Sequence, residues 1–220
     1  MIARVLETEA MDTEDEAREY DAMDHAEVNA RFAADFFRAH GAWRGGRALD
    51  VGTGTARIPI EMCGRDHAIK ILGVDLADRM LEIGRRNVEL AGLSGRIELM
   101  RIDAKTLPFS KGEFEAVASN TIVHHVPAPT SVLAEMARVV ATGGTLFIRD
   151  LFRPDSEAEL RRLVTLYAGS STSAAQSLFA DSLRAALTLE EVRSIVRGLG
   201  FAEFDVTATS DRHWTWFTKK

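Results

Sequence analysis

Three aspartates and a pair of histidines stand at or beside the ends of short apolar runs, where a folded chain could present them together. Asp50 lies in Ala48-Leu49-Asp50-Val51 just ahead of Gly52-Thr53-Gly54, and Asp75 ends Ile69-Lys70-Ile71-Leu72-Gly73-Val74. Asp103 follows Ile97–Ile102, and His124-His125 follow Phe114–Asn120. A fixed negative charge such as Asp50 beside the glycine turn repels phosphates and favours a ligand carrying a positive amino group. Asp75, about twenty residues beyond that turn, is placed to accept hydrogen bonds from both hydroxyls of a ribose. Histidine titrates nearest to neutral pH, so His124, or failing it His125, is a candidate general base or substrate orienter. In an extended loop adjacent side chains diverge, so at most one of them reaches an acceptor directly. Two vicinal histidines without nearby carboxylates are poor metal ligands, and no metal is expected.

The glycine turn decides which nucleotide fits. Ala48, Leu49 and Val51 read as a buried parallel strand, and Gly52 and Gly54 break it before helix-like residues whose first N–H groups are free. A dinucleotide loop wants Gly or Ala three positions after the second glycine, where this chain has Arg57. A P-loop needs Gly-Lys-Ser/Thr, and no lysine is near. A plain strand-to-helix turn is the alternative to a binding loop.

Leu49-Asp50-Val51-Gly52-Thr53-Gly54-Thr55-Ala56 resembles motif I of the class I S-adenosylmethionine-dependent methyltransferases, with Ala56 where a third glycine is more usual. The resemblance covers roughly Arg47 to Asp150 and most of the tail. It implies S-adenosylmethionine as cofactor, S-adenosylhomocysteine as product, and a cofactor site built from Asp50, Gly52, Thr53, Gly54, Asp75, Leu76, Met80, Asp103, Ala104 and Asn120. Asp103 would accept from the adenine amine while the Ala104 N–H donates to a ring nitrogen, the alternative being a turn-capping aspartate. Met80 would pack on the adenine or in the core. The transferred methyl would lie by the loop carrying His124 and His125. N-terminal helices often fold over the cofactor in this family, so Tyr20, His25 and Asn29 either line the site, with Tyr20 in a catalytic part, or are surface and capping residues.

Strands and helices must alternate to position these groups. Runs at 48–51, 69–75, 97–102, 114–120 and 145–150 read as strands, with helices between them and after Thr130, the last closed by Gly143-Gly144. The expected fold is α/β: a doubly wound, mostly parallel seven-stranded sheet with helices on both faces, ending in an antiparallel strand at 212–217. Val28, Phe32, Phe36 and Phe37 recur at helical spacing, so residues 25–40 predict a helix, preceded by an acid-rich, solvated stretch from Glu7 to Glu27. Thr188 and Glu191 have the spacing of a capping box for a helix over 189–199.

With 220 residues and a formal charge of −6, the chain suits one domain acting on small molecules and lacks a basic tract for nucleic acid. One cysteine excludes an internal disulfide and favours a reduced, cytoplasmic setting. No apolar run of about 18 residues exists, so no membrane segment is expected. The single methyltransferase domain would carry cap helices over 1–41 and a helical insertion over 151–187, split by Gly169–Ser173. That insertion reads as a lid over a small-molecule acceptor or as a homodimer interface, so both monomer and homodimer are open. The expected activity is methyl transfer to an oxygen, nitrogen or carbon of a small organic molecule. Alternatives keep the cofactor for a decarboxylation or cyclisation, or retain it without turnover.

Overall fold

The computed structural model describes residues 2–7, 12–23 and 25–220; Glu9 and Asp24 of the acid-rich stretch lie outside the described residues. In chain order the elements are α1 (Glu14–Ala22), α2 (Ala26–His40), β1 (Ala48–Val51), α3 (Arg57–Arg65), β2 (Ile71–Asp75), α4 (Asp78–Leu90), β3 (Ile97–Arg101) and β4 (Phe114–Asn120). They continue as α5 (Pro129–Val139), β5 (Val140–Leu151), α6 (Glu157–Ala168), α7 (Ser173–Ala185), α8 (Leu189–Gly198), β6 (Val206–Ala208) and β7 (His213–Lys219). Among the described residues the strands form one seven-stranded sheet in the order β3-β2-β1-β4-β5-β7-β6. β1 pairs in parallel with β2 and with β4, and β2 with β3, while β7 runs antiparallel to β6. The expected doubly wound fold is therefore present. β1 sits where the strand order reverses, and a ligand crevice belongs beyond the C-terminal end of such a strand, which here is the glycine turn.

The chain divides into two compact units. The larger comprises the described residues of Ala10–Asn120 together with Ala134–Ile148 and Phe217–Lys220. Its core gathers Phe32 and Phe36 of α2, Met62 and Cys63 of α3, and Ile71, Ile97, Ala116 and Phe147 of the sheet. The acid-rich stretch is more than a solvated face: Thr13 and Glu16 form a capping box that starts α1, a signal the charge density conceals. Ala17 of α1 is fully buried against Ala77 and Met80, with Tyr20 beside them. Gly73 shows how tightly β2 meets the glycine turn, since a Cβ there would lie 2.6 Å from the Thr53 hydroxyl and 2.7 Å from a Leu99 methyl. Gly73→Ala should thus cost about 1–3 kcal/mol by overpacking, read as a lower urea midpoint with an unchanged slope.

Gly143 and Gly144 do not close the preceding helix as expected. α5 ends at Val139 and β5 begins at once, so the glycine pair lies inside the strand. A Cβ on Gly144 would come within 2.7 Å of the Glu115 carbonyl oxygen, which only glycine avoids. Lys220 supplies the missing helix stop, its ammonium donating to the carbonyls of Ala137, Arg138 and Val140.

The smaller unit comprises the described residues of Met1–Glu9 with Thr121–Leu133 and Arg149–Trp216. Its core joins Leu151, Leu160 and Leu163 to Leu183 and Ala186, so α6 and α7 pack on each other around the break expected at Gly169–Ser173, of which Ser173 already belongs to α7. The Thr188–Glu191 capping box forms and starts α8. Residues 2–7 are held by Arg4, whose Nε donates to the Ala185 carbonyl at 2.6 Å and whose Nη2 donates to those of His124 and Val126. Among the described residues no helix is long and apolar enough to cross a membrane.

Candidate functional site

The turn after β1 is built to bring backbone close to a ligand. Gly52 and Gly54 take φ of 75° and 51°, and Ala56 takes 63°. The third position of the turn thus needs the left-handed region, and Ala56 occupies it at a steric cost of about 1–2 kcal/mol that glycine would avoid. The N–H groups of Gly52 and Thr53 donate to the Val74 carbonyl, locking the turn to β2. Asp75 completes the lock, with Oδ2 accepting from the Gly54 N–H at 2.8 Å and Oδ1 from the Ala77 N–H at 2.9 Å. The Leu76 N–H adds a third backbone contribution, and the carboxylate keeps acceptor capacity for a ligand hydroxyl.

Beside this turn lies a cavity of about 250 Å³. Of the residues expected at the site, Tyr20, His25, Asn29, Gly52, Thr53 and Asn120 line it, together with Asp21, Thr55 and Arg57. Gly54, Asp75, Leu76, Met80, Asp103 and Ala104 are not part of that lining. Asp50 is buried beneath the turn, where loss of water, with Asp75 nearby, pushes its carboxyl up to about 7 against the help of the Thr53 hydroxyl. Burial likewise raises Asp75, though the N–H groups of Ala77, Gly54 and Leu76 oppose it. Tyr20 stands over the turn, its ring 3.9 Å from where a Gly54 Cβ would be. Burial and the neighbouring Asp75, Asp50 and Asp21 raise its phenol, which favours the protonated form.

Sequence reasoning missed what ties α1 to the glycine turn. Asp21 takes two hydrogen bonds from the Arg57 guanidinium, at 3.0 and 2.9 Å, and a third from Asn87, whose amide also donates to the Thr55 carbonyl. Arg57, read only as a departure from a dinucleotide loop, is thus the clamp between α1 and the turn. Met80 is buried with Ala17, Ala77 and Tyr20. Asp103 accepts from the Lys105 N–H at 2.9 Å and pairs with its ammonium at 3.1 Å, so it caps its own turn. Leu76 is half-buried, and its carbonyl accepts from Arg101.

In the smaller unit, the loop carrying the histidines is not extended. Thr121 has φ of 57°, a costly value for a β-branched residue, and Val123–His125 then form a single 3₁₀ turn. The two imidazoles do not diverge as expected: their centroids are 4.1 Å apart. His124 is 2% exposed, and its Nδ1 lies 2.5 Å from Oδ1 of Asp150 at the end of β5. The other Asp150 oxygen accepts from the N–H groups of Val123 and His124. Burial disfavours the imidazolium, but Asp150 and Glu7 outweigh it and raise the His124 pKa. Glu7 Oε1 faces both rings, 3.4 Å from His124 Nε2 and 3.3 Å from His125 Nδ1. The expectation that no carboxylate stands near the pair is therefore corrected. Asp150 stands near the end of its strand as Asp75 does and could have been read that way; Glu7 is 117 positions before His124 and has no local signal.

Residues 49–148 match the family model described as a methyltransferase domain. The chain is 38% identical over 118 residues to a phosphatidylethanolamine N-methyltransferase of Cereibacter sphaeroides, a match covering 53% of this chain and 56% of that protein. It therefore spans little more than half of that relative's length. It is 31% identical over 175 residues to a demethylmenaquinone methyltransferase of Bacillus cereus, covering 74% of this chain and 73% of the relative. Among solved structures, a Haemonchus contortus phosphoethanolamine N-methyltransferase 2, in complex with phosphomonomethylethanolamine and S-adenosylhomocysteine, superposes with a TM-score of 0.68 at 17% identity. That likeness covers 89% of this chain and 43% of the other, and it concerns the fold.

Proposed function

The chain belongs to the class I S-adenosylmethionine-dependent methyltransferases, and on that premise we propose that it methylates a small organic acceptor of the quinol or ethanolamine-headgroup kind. The relatives named for such acceptors support the choice. The observation that carries the reading is the Asp75 carboxylate, tied to the glycine turn yet with acceptor capacity to spare. A nucleoside with two ribose hydroxyls fits it, and a ligand amino group fits the buried Asp50, whose charge it would restore.

When bound, S-adenosylmethionine supplies an electrophilic methyl on a sulfonium, and the protein's work is in-line positioning in a site that water does not enter. In this reading Asp75 holds the ribose, Gly52 to Gly54 let the backbone approach, and Tyr20 and Asn120 orient polar groups by hydrogen bonding. Asp103 and Ala104 take the adenine if Asp103 exchanges Lys105 for the ligand amine. A general-base role for His124 would require Glu7 to withdraw from Nε2. His124→Ala and His125→Ala, compared at saturating acceptor, test it: a base shows as a fall in kcat with S-adenosylhomocysteine affinity unchanged, and wild-type turnover in both removes the role. The lid reading of residues 151–187 belongs to the same proposal, and it predicts that shortening α6–α7 relaxes acceptor selectivity while cofactor affinity stays.

The direct test is S-adenosylhomocysteine release with a panel of ethanolamine-bearing and quinol acceptors. Turnover with one class above the acceptor-free rate is expected. Tight cofactor binding with no methylated product from any acceptor would favour a cofactor-retaining, non-methylating protein.

A further inference from the structure

We propose that Glu7, His124 and His125 bind one divalent transition-metal ion of the zinc class. The three side chains offer donor atoms that all lie within 4.8 Å of one another. The spacing of Glu7 Oε1 from His124 Nε2 and His125 Nδ1, 3.4 and 3.3 Å, is long for a charge-assisted hydrogen bond, which draws N and O to about 2.7–2.9 Å. Donors about 2.0–2.2 Å from a tetrahedral zinc ion lie about 3.3–3.5 Å apart, the length of the edge of that tetrahedron. The two separations from Glu7 match the second geometry, and the two histidine nitrogens lie within 4.8 Å of each other.

Three features of the smaller unit make this more than a chance meeting of polar groups. The 3₁₀ turn brings vicinal imidazoles to one side, which an extended loop would not do. Asp150 engages Nδ1 of His124, leaving Nε2 as the ligand atom, and a carboxylate behind a histidine is the usual outer support of a metal-bound imidazole. The Asp150 carboxylate is itself fixed by the N–H groups of Val123, His124 and Leu151, so the imidazole orientation is set before any ion arrives. Glu7 is delivered by the anchored segment before it, through Arg4 and through the Val5 N–H on the Arg184 carbonyl. Two nitrogens and one carboxylate oxygen leave a fourth position for water or for an oxygen of a bound molecule. A metal ion would occupy the lone pairs that a general base needs, so the two roles exclude each other. This site stands independently of the methyl-transfer reading.

The test uses the full chain without a histidine tag, stripped with chelator, then titrated with zinc against a competing indicator and with cobalt(II) followed by visible absorption. One ion retained per chain after dialysis, tetrahedral cobalt bands and a zinc-dependent rise in Tm are expected. Glu7→Gln and His125→Gln, which spare the buried Asp150–His124 pair, should each weaken zinc at least tenfold. Asp150→Asn should weaken it about 10- to 100-fold. Wild-type protein that retains no stoichiometric ion overturns the proposal. So does zinc affinity that is the same in Glu7→Gln and His125→Gln as in the wild type, because the ion then sits elsewhere.

Discussion

Asp75→Ala should raise the dissociation constant of S-adenosylhomocysteine about 5- to 150-fold while leaving the folded state nearly as stable. The first effect follows from deleting the acceptor for a buried pair of ligand hydroxyls, worth about 1–3 kcal/mol. The second follows from two opposing changes. Losing the bonds to the Gly54 and Ala77 N–H groups loosens the turn, but the mutation also removes a carboxylate whose charged form burial disfavours. Isothermal titration gives the first quantity and urea unfolding the second. An unchanged affinity would sink the ribose assignment, and a collapse of stability with affinity intact would make Asp75 purely structural.

Asp50→Asn is expected to stabilise the ligand-free protein, and in a pH-dependent way. The Asp50 carboxyl titrates at about 7 in the folded protein against an ordinary 3.8. Because the folded value is raised, there is no penalty below pH 3.8, where the group is neutral in both states. The penalty grows as pH rises through that window and is complete above about 7. A rise from 3.8 to about 7, at about 1.4 kcal/mol per pH unit, bounds the penalty at roughly 4 kcal/mol. The asparagine variant without ligand should therefore exceed the wild type in Tm at pH 8, with the gap closing towards pH 5. Its cofactor affinity should fall, because the charge that pairs with a ligand amino group is gone. A Tm difference independent of pH would show that Asp50 is already ionised at little cost.

Much of this arrangement was legible in the residues. Apolar runs ending at Gly52, Asp75 and Asn120 mark strand ends because a parallel strand is buried on both faces and stops where turn-forming or polar groups begin. The Thr188–Glu191 box was legible because capping is a local, side-chain-to-backbone affair. What was not legible depends on distance or on backbone geometry. The Thr13–Glu16 box was hidden among many acids, and the clamp of Arg57 on Asp21 spans 36 positions. The 3₁₀ turn at the histidines depends on Asp150, which receives the N–H groups of Val123 and His124 from 27 and 26 positions away. Gly143-Gly144 misled because glycine marks helix stops and close backbone approaches alike, and only the neighbouring strand shows which applies.

The hold of Arg4 on the Ala185 carbonyl also sets an order of assembly. The two residues are 181 positions apart, and Val5 meets Arg184 across a similar span. At a synthesis rate of about 5–20 residues per second, the segment around Arg4 waits roughly ten seconds or more for this docking partner, until α7 has left the ribosome. Closing so long a loop belongs to the last stage of folding, after the local pairings of the sheet have formed. Glu7 therefore reaches the histidine pair only once the smaller unit is otherwise complete, and an ion captured there would act as a seal on a finished fold.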